Sequence, residues 1–165
     1  MRTITGQLIQ DLKDFLGDQP VAKADAFQVS TFRDLMEHVA RLAYLNKDYL
    51  LFYRGQDRDY RNKAGASTFY PSIYRGDRVS RTEIDLRFDI LSSATRRLCD
   101  ALREAELEGY HDVRRRRYIQ WSILQHYEVC PTPLLDLTHS LRVACSFAFL
   151  GSDTGNPYVA VFGLP

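Results

Sequence analysis

Apolar side chains recur at helical spacing through the first third of the chain. Leu8, Ile9, Leu12, Phe15 and Leu16 share one face of a helix predicted over residues 5 to 17, which Gly17-Asp18-Gln19-Pro20 stops. Phe32, Leu35, Met36, Val39 and Leu42 repeat the spacing, with Ser30-Thr31 as the cap and Asp34 in the first turn. Asn46-Lys47-Asp48 ends this second helix. The pattern then changes: Tyr49-Leu50-Leu51-Phe52-Tyr53 is apolar on both faces, which predicts a central strand with Arg54-Gly55 at its exit.

Residues 55 to 79 break both periodicities. They mix polar and aromatic side chains with Gly55, Gly65, Pro71 and Gly76, and such a stretch inside a compact domain is usually functional or mobile. Ser80-Arg81-Thr82-Glu83 is a capping box. It opens a long helix to about residue 108, striped by Ile84, Phe88, Leu91, Leu98, Leu102 and Ala105. A further helix is predicted from about 112 to 127, then a turn at Cys130-Pro131-Thr132-Pro133 and a short strand over Leu134 to Thr138. Ser140 caps a helix carrying Val143, Ala144, Phe147 and Ala148. A loop from Gly151 to Pro157 leads into a closing strand, Tyr158 to Phe162. The expected fold is α+β, with helix-rich N-terminal and middle segments packed on a small mixed or antiparallel sheet. One domain is expected over residues 1–165, with a helical part over 1–45 and a core over 48–165. The last strand reads as an interior one, so the C-terminal end is expected to be truncated or completed by a partner.

Composition narrows the classes without choosing among them. About 45% of the residues are apolar, enough for a sizeable core in 165 residues. With 22 basic and 21 acidic residues the net charge is +1, which gives no global drive toward nucleic acid or an anionic membrane. Cys99, Cys130 and Cys145 are odd in number and widely spaced, which argues against a disulfide framework or a CxxC metal site. Asp11 and Asp14 interrupt the N-terminal segment, and no apolar run reaches membrane length, so the expected setting is cytoplasmic with no membrane partner.

Several residues are candidates for chemistry. Arg54 can present its planar fork to a phosphate or carboxylate, or pair structurally with a carboxylate such as Asp136; spacing alone divides these evenly. Gly55 lets a ligand or another backbone approach closely. His126 is either an acid–base group or a helix-terminal histidine, and the second is favoured because no Cys or Ser nucleophile is signalled beside it. Asp136 and Thr138 stand two apart on the predicted strand and share a face, and the helix from Ser140 aims its N-terminus at them. The segment Ser67 to Arg75 can cover a flat ring with its aromatics or be a loop anchored by them. Arg114 to Arg117 cannot all face one side of a helix, and a solvated surface is favoured over nucleic-acid binding.

Three blocks, in order, resemble the FRG-domain family: Phe52-Tyr53-Arg54-Gly55-Gln56; Tyr70-Pro71-Ser72-Ile73-Tyr74-Arg75; and Gln125-His126-Tyr127 through Thr132, Leu134-Leu135-Asp136, Thr138, Ala144 and Phe147-Ala148. Glu128, Pro133 and Leu137 stand where that family usually has glycine, arginine and tryptophan. A more distant resemblance, carried by the order Tyr53-Arg54-Gly55, Thr138, Ala144-Cys145-Ser146-Phe147 and Tyr158 to Phe162, is to ADP-ribosyltransferases. It implies a split core and an NAD-type pocket with NAD as substrate. Arg54 would hold a phosphate or ribose, Thr138 would support the ribose, and Tyr70 or Tyr74 would stack on a ring. Gly55, Gln56, Ser67, Arg75 and Gln125 would complete the binding wall, with His126 and Asp136 in catalytic roles and no metal. The partner implied is a small nucleotide, and the acceptor, protein or nucleic acid, is left open, as is the place of a catalytic glutamate. Two other readings stand beside it: an interaction module in which the Arg, His and Asp cluster is structural, and a nucleic-acid-binding module resting on Arg96, Arg97 and Arg114 to Arg117.

Overall fold

The computed structural model describes residues 6–76, 78–150 and 156–165. Thr5, at the start of the first predicted helix, and most of the predicted loop at 151–157 lie outside the described residues. The chain divides into two compact units, Met1–Thr68 with Asp136–Pro165, and Phe69–Leu135.

The first unit is built on two strands, β1 (Leu50–Gln56) and β2 (Tyr158–Leu164). They pair antiparallel in unbroken register from Leu50↔Leu164 to Gln56↔Tyr158. Alternation along β1 sends Leu51, Tyr53 and Gly55 to one face and Phe52, Arg54 and Gln56 to the other. Val39 of helix α2 (Phe32–Leu45), Tyr53 and Ala144 of helix α6 (Leu141–Phe149) form the core against the first face, with Leu35, Leu51, Leu141, Val159 and Val161 packed around them. Thr31 caps α2 through the Asp34 N–H, and Ser140 caps α6 through the Val143 N–H. Both caps lie where the sequence places them.

Helix α1 (Gln10–Leu16) starts later than its apolar pattern predicts. The side chain of Asn46 explains this. It accepts from the Gln7 N–H at 2.6 Å and donates to the Gln7 carbonyl at 2.8 Å, which holds residue 7 to the end of α2 rather than in a helical turn. Arg54 and Gly55 lie inside β1, facing Ala160 and Val159, and not at the strand's exit. The predicted strand at 134–138 is likewise absent. Thr138 makes a single bridge with Tyr53, its N–H and carbonyl exchanging with those of Tyr53 at 3.0 and 2.7 Å. Local side-chain bonds flank the bridge. The Thr132 hydroxyl accepts from the Leu134 N–H, the Thr138 hydroxyl accepts from the Ser140 N–H, and Pro133 has no N–H to offer.

The second unit is helical. Helix α3 (Arg81–Glu104) opens on Ser80, whose hydroxyl accepts from the Glu83 N–H. The Glu83 carboxylate does not complete a capping box; it accepts from Arg87 instead, at 2.6 Å. The helix ends before residue 108 because Glu106 takes a left-handed backbone, φ 49°, and the Leu107 N–H turns back to the Leu102 carbonyl. The helix predicted over 112–127 is two: α4 (Tyr110–Arg115) and α5 (Arg117–His126), broken at an extended Arg116. Buried Gln120 stabilises the break, donating its amide to the carbonyls of Val113 and Arg114 at 2.8 and 2.9 Å. Ile73, Leu91 and Leu124 form this unit's core, with Phe88, Leu98, Trp121 and Cys130 around them. Ile73 belongs to a short 3-10 turn, Ser72–Tyr74, and is fully buried, a burial that stabilises by about 2 kcal/mol.

Among the described residues the architecture is thus α+β, with six α-helices and one two-stranded antiparallel sheet. No helix among them is long and apolar enough to cross a membrane.

Candidate functional site

The candidate residues fall into both units, and each group has its own geometry. In the first unit, Arg54 reaches from β1 to the segment that precedes α6, its Nη1 donating to the Asp136 carbonyl at 2.7 Å. The arginine thus meets Asp136 through its main chain. Opposite Arg54 on β2 stands Ala160. Gln56, two residues along, faces Tyr158. Its Oε1 is buried and accepts no hydrogen bond among the described residues. A buried acceptor without a donor costs about 1–3 kcal/mol, so its retention calls for an explanation.

Gly55 answers one question the sequence left open. A Cβ at this position would lie 1.8 Å from the Ala144 carbonyl oxygen and 2.7 Å from the Ala148 nitrogen. The close neighbour is therefore the backbone of α6. Ala144 and Ala148, both fully buried one helical turn apart, complete the contact from the helix side. The Arg-Gly pair joins two tasks: the glycine seats α6 on the sheet, and the arginine fastens the chain leading into it.

Two further side chains at this sheet were not among the predicted site residues. Tyr158 is half-buried, and that burial, above all, raises its phenol above the ordinary value; Asp59 adds to the rise, while Ser67 as a hydrogen-bond partner and Arg61 oppose it. Ser67 is tied to the same place from its own side, its N–H donating to the Ala22 carbonyl at 2.8 Å. His139 packs on Phe52 with ring centres 4.0 Å apart, and its Nδ1 lies 3.2 Å from the Leu51 carbonyl. In the sequence, His139 is marked by its place directly after Thr138.

In the second unit, Gln125 and Thr132 are locked together, the Thr132 hydroxyl donating to the Gln125 side-chain oxygen. Thr132 is fully buried, and its backbone is bound to the second family block: its N–H donates to the Ser72 hydroxyl at 3.0 Å, and its carbonyl accepts from the Ile73 N–H at 3.2 Å. The family blocks around Ser72 and Gln125 thus meet as a polar clasp over the Ile73 core. His126 is exposed at the end of α5 with its ring edge-on to Tyr127. Tyr70 is exposed, Arg75 donates through Nε to the Tyr70 carbonyl at 2.8 Å, and Tyr74 packs on Phe88 at 6.1 Å. Arg87, another residue the sequence reading did not single out, donates to the carbonyls of Ile73 and Arg75 and so holds this irregular segment to α3. Glu128, where the family usually has glycine, has φ 52°, and the Val129 N–H turns back to the Leu124 carbonyl at 2.9 Å. This is the left-handed helix cap that glycine adopts without a steric penalty.

Among the described residues, no group of three His, Cys, Asp or Glu side chains gathers as metal ligands. The class defined by these elements is an α+β protein in which motif side chains such as Arg54 and Ser72 hold main-chain segments. A family model for the FRG domain matches residues 50–157, a span that contains the Arg-Gly strand, the Ser72 turn and the Gln125–Thr132 clasp, and the chain belongs to the FRG-domain family. No curated protein and no solved structure matches it.

Proposed function

We propose that the first unit binds an NAD-type nucleotide on the sheet face that carries Arg54 and Gln56. The observation that carries this reading is the buried, donorless Oε1 of Gln56 on the same strand face as a guanidinium. An arginine supplies donors for a phosphate, and a lone amide oxygen supplies an acceptor for a ribose hydroxyl or a carboxamide N–H. Thr138 and Tyr158 border the same strand and offer hydroxyls. The activity that accompanies this reading is ADP-ribose transfer. The bond between nicotinamide and ribose would break, nicotinamide would leave with the bonding pair, and a deprotonated acceptor group would bond the ribose carbon. Asp136, in the same unit, is the group that would take the acceptor's proton.

Calorimetric titration with NAD tests the binding. Saturable binding is expected for the intact protein, weakened at least about tenfold in Gln56→Leu. The same substitution removes an unsatisfied buried acceptor, so the unliganded protein should be no less stable. An intact protein that takes up no NAD refutes the reading.

A second reading is favoured by a specific contact. The Arg54 bond to the Asp136 carbonyl is what a purely structural arginine would make. In that case the domain is a non-enzymatic interaction module, Arg54→Ala lowers the melting temperature, and NAD shifts the melting of neither form.

A further inference from the structure

The second unit carries an open cleft of about 270 Å³ between α3 and α4. Its lining includes Arg96 and Arg103, seven residues apart and so on one face of α3, and Arg114 of α4. Asp100, the carboxylate in the lining, is paired with Arg103 at 3.1 Å in an exposed contact that solvent weakens. Arg96 and Arg114 form no ion pair with another described residue. Glu104, Glu106, Glu108 and Asp112 belong to the same stretch of chain but do not line the cleft. Exposed Arg97 and Arg115 to Arg117 add further positive charge on either side. Arginines converging on a concave surface with one carboxylate among them raise the local potential, and an anion relieves it. The guanidinium fork suits phosphate oxygens in particular. Half-buried Tyr110 supplies a ring at the cleft wall.

We infer that this cleft binds a small phosphorylated ligand, a phosphate ester of mononucleotide size or less, with the phosphate on Arg96 and Arg114 and the attached group against Tyr110. Its volume lies at the small end for ligand pockets, which favours such a ligand over a polymer. None of its lining residues is among those assigned to the NAD-type site of the first unit.

The test is calorimetry on the full chain with pyrophosphate, adenosine monophosphate and a single-stranded ten-nucleotide DNA. Saturable binding of pyrophosphate and the monophosphate at one site each is expected. Arg96→Ala and Arg114→Ala should each weaken pyrophosphate binding about tenfold or more. Arg81→Ala, at the far end of α3, and Gln56→Leu should leave it unchanged, which separates this site from the proposed nucleotide site. Circular dichroism of each variant should match the parent, since the substituted arginines are exposed. Absence of saturable binding by either small phosphate overturns the inference. So does an equal loss in Arg81→Ala, or binding of the DNA alone with a steep salt dependence, which would make the patch a nucleic-acid surface.

Discussion

Replacing Gly55 with alanine is the sharpest perturbation the fold offers. The added methyl would stand 1.8 Å from the Ala144 carbonyl oxygen, and contacts under 3.0 Å do not persist, so α6 must withdraw from β1 by roughly 1.2 Å, the difference between those distances. The obstacle is main chain, with Ala144 carbon and Ala148 nitrogen at 2.8 and 2.7 Å, and no rotamer change relieves it. Withdrawal loosens the contacts of Ala144 and Ala148, both fully buried, and of the Tyr53–Val39 cluster behind them. Overpacking of this kind costs about 1–3 kcal/mol, and the loosened cluster adds to that, so a loss of about 3 kcal/mol is expected. The gain of about 0.4–1 kcal/mol from a stiffer unfolded chain is too small to offset it. Urea unfolding followed by far-ultraviolet circular dichroism reads the change as a lower midpoint at constant slope. The double variant with Ala144→Gly is the internal control. Because the clash is with the carbonyl of residue 144 and not its side chain, removing that methyl should not rescue stability. A loss below about 1 kcal/mol, or full rescue by Ala144→Gly, would show that Gly55 is there for some reason other than the seat of α6.

Further predictions rest on single contacts. Thr132→Val keeps the shape but removes the hydroxyl that accepts from the Leu134 N–H and donates to the Gln125 side-chain oxygen, and should cost about 1–3 kcal/mol in the same unfolding assay. Glu128→Gly restores a residue suited to φ 52° and should raise stability by about 0.5–1 kcal/mol, net of the greater unfolded-state freedom of glycine; a decrease would count against the strain argument. Burial raises the phenols of Tyr53 and Tyr158 above the ordinary 10.0, so the folded state holds protons that the unfolded state releases. Their contribution is complete below pH 10 and is lost as pH rises through the folded values, which absorbance titration of the phenolate and alkaline unfolding would both register. Burial also raises the thiols of Cys130 and Cys145, so both should react more slowly with a disulfide reagent at pH 8 than the same thiols in urea.

What could be read in the sequence follows the range of the forces involved. The caps at Thr31, Ser80 and Ser140 are local chemistry, a hydroxyl and an N–H three residues on, and each is found as expected. The double-sided apolar run at 49–53 gave β1, whose partner is β2 in full register. The early end of α3 is a main-chain turn at Glu106, and other misplaced boundaries trace to side chains that bond main chain. Asn46 holds residue 7 out of α1 from 39 residues away. Gln120 caps a helix that periodicity alone had joined to its own. Thr132 takes the Leu134 N–H, the first donor that a strand at 134–138 would have offered. Periodicity counts apolar faces and is blind to such bonds. The site shows the same division. Arg54-Gly55 stood out as a pair, but whether glycine admitted a ligand or a backbone depended on where α6 would lie, 89 residues further on, and the structure gives the backbone. The departure at Glu128 carries the converse lesson. A glycine expected at that point is a statement about φ, and the chain keeps the left-handed turn without the residue that makes it easy. The turn is therefore held by what it joins, the end of α5 and the Thr132 clasp, and the three family blocks act first through backbone geometry. A ligand site is to be sought where polar groups are left over from that task, and among the described residues these include the oxygen of Gln56 and, in the α3–α4 cleft, Arg96 and Arg114.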